Sequence, residues 1–97
     1  MALILRASGD TQEQLAILDI TLEKLQQAVG GYIERILCFN SENEVTHVLY
    51  VNDEARLTGL PFNSAAAIAA GQSILGDAVL MTKEEELEWQ SMDGEGE

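Results

Sequence analysis

Two runs rich in aromatic and β-branched residues, YIERILCF at 32–39 and VTHVLYV at 45–51, flank the polar pentapeptide NSENE. Strand formers on both sides of a short polar loop are the pattern of an antiparallel hairpin. Ala2 to Ala7 (ALILRA) precedes the turn-like Ser8-Gly9-Asp10 and reads as a further strand, largely buried in a sheet. Ile74 to Thr82 (ILGDAVLMT) reads as a final strand containing a Gly-Asp bend.

Helices fall between these runs. Asn63 or Ser64 is a good N-cap for AAAIAA, which Gly71 terminates, and Thr82 with Glu85 makes a capping box for an acidic C-terminal helix. Residues 12–29 admit two readings. Leu15, Leu18, Leu22, Leu25 and Val29 follow helical spacing, and Thr11 with Gln14 can form a capping box, so periodicity slightly prefers one long helix. Alternatively QLAILDI is a strand, Thr21 caps the shorter helix LEKLQQAV, and Gly30-Gly31 ends it in a left-handed cap. Strands mixed with short helices imply an α+β domain: a small antiparallel or mixed sheet of about five strands with two or three short helices.

With 97 residues there is room for one core. The expected organisation is a single domain over 1–82 followed by an acidic helix and frayed tail over 83–97. Residues 1–82 hold ten acids against four bases and the last fifteen hold seven against Lys83, so each part carries −6 of the net −12. Such a charge repels phosphate backbones and argues against direct nucleic-acid binding. No apolar run approaches the roughly 20 residues that span a bilayer, and Met1 to Arg6 lacks the plan of a signal peptide, so a cytoplasmic protein is expected, without membrane attachment.

Catalytic motifs are missing. Cys38 lies in an apolar stretch and reads as a core thiol, and with His47 it falls short of a metal-ligand set. His47 alternates with Val45, Leu49 and Val51, as a core histidine would. No phosphate loop or nucleophile motif is present, so neither catalytic residues, metal nor cofactor are expected.

The segment NDEARLTGLPFN at 52–63 concentrates special residues. Asn52-Asp53-Glu54 leaves the strand, Gly59 permits a tight turn, and Pro61 pushes Leu60 away from helical geometry. With VGGYIE at 29–34 and ILGDAVL at 74–80, in that order, it resembles a family of small proteins found mostly in bacteriophages and bacterial or mobile genomes, domain of unknown function 3846. The resemblance spans roughly residues 14–82 and implies a strand, a short helix and the glycine pair, which favours a strand at QLAILDI. Where the family often carries Glu-Gly-Lys, this chain has Glu54-Ala55-Arg56; an alanine in a left-handed position would cost about 1 kcal/mol. The resemblance implies no reaction.

Function is therefore weighed from residues. An arginine close to exposed N–H groups at a helix start is a plausible anion site. The expected binding residues are Asn52, Glu54, Arg56, Asn63, Ser64, Tyr32 and Arg35, holding an anionic nucleotide-like small molecule such as a host-defence signal. The bland alternative makes Asn63 a plain cap and pairs Arg56 with Asp53 or Glu54. Other readings are an acidic mimic of DNA that occupies a host defence protein, or an interaction module that forms a homo-oligomer by edge-strand pairing. In the C-terminal helix either Leu87 packs on the sheet with Trp89 partly exposed, or Trp89 is buried.

Overall fold

A computed structural model describes residues 1–9 and 13–94, with side chains described as far as Ser91. Five strands, β1 (Ala2–Leu5), β2 (Glu13–Leu15), β3 (Ile33–Phe39), β4 (Val45–Asn52) and β5 (Ala78–Thr82), form one sheet in the order β2-β1-β5-β4-β3. Every neighbouring pair is antiparallel. Four helices, α1 (Leu22–Val29), α2 (Ala55–Thr58), α3 (Ser64–Ala70) and α4 (Lys83–Gly94), complete the described α+β fold, with a 3₁₀ turn at Ile17–Asp19.

The sheet is covered on both faces, which explains why β4 is buried continuously from Val48 to Asn52. Alternation sends Ala2, Ile4, Val48, Tyr50, Val79 and Met81 to one face, where they meet Ile17, Ile20, Leu25 and Trp89. Leu5, Cys38, Leu49, Val51 and Ala78 go to the other and pack with Ala66 and Ile74. Complete burial of one leucine-sized side chain contributes about 1.5–3 kcal/mol, so these two layers supply most of the drive to fold.

Local signals set most helix ends. Thr21 Oγ1 accepts the Lys24 N–H at 3.1 Å, and Gly30 ends α1 with φ 80°. Asn63 caps α3 and Gly71 ends it at φ 70°. Thr82 and Glu85 form the reciprocal capping box, with bonds of 2.8 and 3.0 Å.

Residues 12–29 are not one helix. A strand covers only Glu13–Leu15 of the QLAILDI region, after which Ile17 and Ile20, three apart and both buried, turn the chain into the core. The Thr11 capping box and the Asp10 end of the first turn lie outside the described residues. The last strand is shorter than expected, because Gly76 adopts φ 82° and Asp77 accepts the Ala7 N–H at 2.8 Å, fixing a bend before Ala78. Ile74 and Leu75 belong to a loop, where Leu75 bridges to Phe62. A short helix, α2, lies between the strand exit and Gly59, and Ala55 sits in it buried at 7 % exposure. The left-handed strain feared for an alanine there does not arise: among the described residues the positive φ of a non-glycine is at Asn43.

Trp89 is the buried member of the C-terminal helix and Leu87 the exposed one, at 9 % and 56 %. The indole Nε1–H donates to Ile20 O at 3.0 Å, and the ring meets Tyr50 edge to face with centroids 5.9 Å apart. Glu86, at 3 % exposure, accepts bonds from Arg35 and Tyr50. Thus α4 is docked on the sheet; residues 95–97, where fraying was expected, lie outside the described residues.

A candidate ligand cleft beside the edge strand

Asn52 closes β4, and its buried amide joins three parts of the chain. Its Nδ2 donates to Val29 O at 3.1 Å, at the end of α1, while its Oδ1 accepts the Glu54 N–H at 2.8 Å. Gly31 makes room for it, since a Cβ there would lie 3.0 Å from Asn52 Nδ2. The Asp53 N–H donates to Tyr32 O at 3.0 Å. Farther along, Asn63 is fully buried. Its Nδ2 donates to Leu5 O and Gly76 O, both at 2.8 Å, and its Oδ1 accepts the Ala66 N–H at 3.0 Å. The Gly76 N–H donates to Pro61 O at 2.7 Å. The segments VGGYIE, VNDEARLTGLPFN and ILGDAVL, far apart in sequence, are therefore bound to one another through these two asparagines.

This network frames a cleft of about 290 Å³ on the α3 side of the sheet. Its floor is Ile36, Val51 and Ile74, and its rim carries the exposed Glu34, Asp53, Arg56, Gln72 and Ser73. The volume is close to the lower bound of about 300 Å³ for small-molecule sites. Arg56 follows the first residue of α2 and is exposed, and among the described residues nothing pairs with its guanidinium. The expected pairing with Asp53 or Glu54 is thus not made.

Of the residues expected to bind, Asn52 and Arg56 line this cleft and the other five do not. Asn52 has its amide committed to backbone partners. Asn63 likewise has no polar atom to spare for a ligand. Ser64 is exposed at the first turn of the seven-residue α3, where the Asn63 side chain already occupies the Ala66 N–H. Glu54 is exposed and its backbone caps α2, and Tyr32 is 70 % exposed. Arg35 points to the opposite face, where its Nε and Nη2 hold the Glu86 carboxylate at 2.7 and 2.6 Å. Glu34, Gln72 and Ser73 were missed because they meet only when the loop after α3 returns to β3. Glu34 closes the motif segment VGGYIE, but nothing in the local sequence marks Gln72 or Ser73.

Electrostatics separate the two faces. The Arg35 hydrogen bonds hold the Glu86 carboxyl below its ordinary range, against the opposing effect of burial. Burial first, and Glu86 second, push the Tyr50 hydroxyl well above its ordinary range, so the phenol stays protonated as a donor. Burial alone raises the Cys38 thiol, which suits an inert core residue. His47 is half-buried, with Nδ1 3.0 Å from Thr46 Oγ1 and Cys38 and Thr82 as cross-strand neighbours. Among the described residues, no group of three His, Cys, Asp or Glu could hold a metal ion, and no helix is long and apolar enough to cross a membrane.

The family model described as Domain of unknown function (DUF3846) matches residues 1–95. The chain belongs to this family. The match is wider than the region that the quoted motifs span, taking in β1 and α4, which supply one core strand and the Trp89 lid. No curated protein and no solved structure matches the chain. Within this DUF3846 domain, the motif residues Asn52 and Asn63 act as structural rivets, whereas the exposed motif residues Glu34, Asp53 and Arg56 line the cleft.

Proposed function

We propose that the protein acts by binding, not catalysis, and that its cleft takes a small anionic, nucleotide-like molecule, in keeping with a phage-related protein that sequesters a host-defence signal in the bacterial cytoplasm. The observation that carries this reading is Arg56, whose guanidinium has no partner among the described residues and which lines a cleft with an apolar floor. A guanidinium can grip one phosphate or carboxylate with two parallel hydrogen bonds. Ile36, Val51 and Ile74 offer apolar contact to a base, and Gln72 and Ser73 offer hydrogen bonds. Glu34 and Asp53 on the same rim oppose a dense polyanion, so a ligand with few anionic groups is preferred over a longer polyphosphate.

Mass spectrometry of small molecules released on denaturing the purified protein tests this directly, followed by thermal shifts with cyclic nucleotides and ADP-ribose derivatives. At ligand concentrations of about 100 times the dissociation constant, stabilisation of about 2.7 kcal/mol is expected. No released molecule and no stabilisation by any of these compounds would remove the sequestration reading.

A second reading is favoured by one observation: α4 is an ordered helix anchored by Glu86 and Trp89, so exposed Glu84 and Glu88 stand one turn apart on a fixed surface. Carboxylates so held suit an acidic inhibitor of a basic host protein. In that case binding weakens with salt and is lost when Glu84 and Glu88 are replaced by glutamine.

A further inference from the structure

We propose that two copies of this chain pair antiparallel through the free edge of β3, centred on Ile36, so that each candidate cleft is continued by the partner's sheet. β3 is an outer strand, with β4 on its inner side and no strand hydrogen-bonded outside it among the described residues. The other outer strand, β2, is three residues long, and its Glu13 is engaged by Arg6. β3 has seven residues and lacks the lysine or proline that commonly protects an edge. Its Leu37 and Phe39 are 36 % and 52 % exposed.

The backbone pattern says which groups are offered. Tyr32 O accepts the Asp53 N–H, and the Asn40 N–H donates to Glu44 O, so even-numbered residues turn inward to β4. By alternation Ile33, Arg35, Leu37 and Phe39 direct their N–H and C=O groups outward.

Opposed residues in an antiparallel pair share a face, so a two-fold axis must fall on a residue. Centring on Glu34 or Arg35 would oppose like charges. Centring on Leu37 would leave Ile33 beyond the end of the partner strand. Centring on Ile36 pairs the whole strand with itself: Ile33 meets the partner's Phe39, Arg35 meets the partner's Leu37, and Ile36 meets the partner's Ile36. This register covers both exposed apolar side chains, opposes no like charges, and uses every outward backbone group over about 24 Å of ladder. Glu34 and Ile36 line the cleft, so the partner's Ile36 extends its floor past the strand edge. The pairing stands whether or not the cleft binds a nucleotide.

Each copy carries −12, so self-association should strengthen as salt screens the repulsion, whereas a basic partner would be released by salt. Sedimentation velocity of the full chain across micromolar to millimolar concentration should show a species of twice the monomer mass, favoured by added salt. Leu37→Lys places a cation opposite the partner's Arg35 and should weaken association about tenfold or more. A thermal melt of that variant confirms its fold.

Register is tested by oxidation in a Cys38→Ser background. Ile36→Cys should crosslink, because directly opposed residues of a non-hydrogen-bonded pair lie about 4.5 Å apart between Cα atoms, within disulfide reach. Leu37→Cys should not. A monomer at every concentration and salt, a dimer untouched by Leu37→Lys, or a crosslink at Leu37 in place of Ile36 overturns the proposal.

Discussion

Arg35 on the edge strand grips Glu86 on the C-terminal helix through two hydrogen bonds, from Nε at 2.7 Å and Nη2 at 2.6 Å, while Tyr50 OH donates to the same carboxylate. Arg35 and Tyr50 are cross-strand partners in the β3–β4 ladder, so both approach the helix from one face. The helix that holds a large share of the acidic residues is thereby anchored by one of them. Glu86→Ala should remove about 2–3 kcal/mol of stability, since it strands the Tyr50 hydroxyl in the core and frees a guanidinium that is half exposed. Urea titration monitored by circular dichroism measures it, with an unchanged slope if the unfolded state is unaffected.

The same cluster gives a pH dependence of defined sign. Glu86 titrates below its ordinary value of 4.5 when folded, chiefly through Arg35, so its contribution is present above that value and is lost as pH falls through the folded pKa. Tyr50 titrates above its ordinary 10.0, first through burial, so its contribution is complete below that value and is lost on further alkalinisation. Stability should fall below about pH 4.5 and above about pH 10. Glu86→Gln should flatten the part of the acid limb that belongs to Glu86, which melting temperatures across pH will show.

Asn63 and Arg56 stand in one sequence segment and should fail in different ways. Asn63→Ala removes the side-chain partner of Leu5 O, Gly76 O and the Ala66 N–H in a buried site and should cost about 2–4 kcal/mol. Arg56→Ala removes an exposed side chain and should change stability by less than about 0.5 kcal/mol. Ligand-induced thermal stabilisation should be lost in Arg56→Ala while the unliganded melt is unchanged.

Gly76→Ala should be among the most damaging single-methyl additions. The residue has φ 82°, and a Cβ would lie 2.8 Å from Leu60 Cδ1, in the bend that carries the Asn63 and Pro61 contacts. A loss of about 1–3 kcal/mol is expected from strain and displacement of Leu60. Gly71→Ala, where a Cβ meets open space, should show only the backbone strain of about 1 kcal/mol. Parallel denaturation curves separate the two effects.

The hairpin, the Thr21, Asn63 and Thr82–Glu85 caps and the glycine helix ends could all be read in the sequence, because each depends on residues within a few positions. The strand limits at 13–15 and 78–82 could not. They follow from Ile17 and Ile20 entering the core together and from Asp77 binding the Ala7 backbone, which are long-range events. Trp89, set against Leu87 by periodicity alone, is decided by Ile20 O and Tyr50.

For the candidate site the division is sharper. The segment NDEARLTGLPFN announces itself through turn and cap chemistry, which local sequence determines. Whether a polar residue there serves the fold or a ligand depends on who sits beside it. Val29 O and the Glu54 N–H take Asn52, and Leu5 O and Gly76 O take Asn63. Arg56 lines the cleft with Glu34, Gln72 and Ser73. Buried donors must find acceptors wherever the chain brings them, so only the tertiary structure could separate the rivets from Arg56, which has no partner among the described residues.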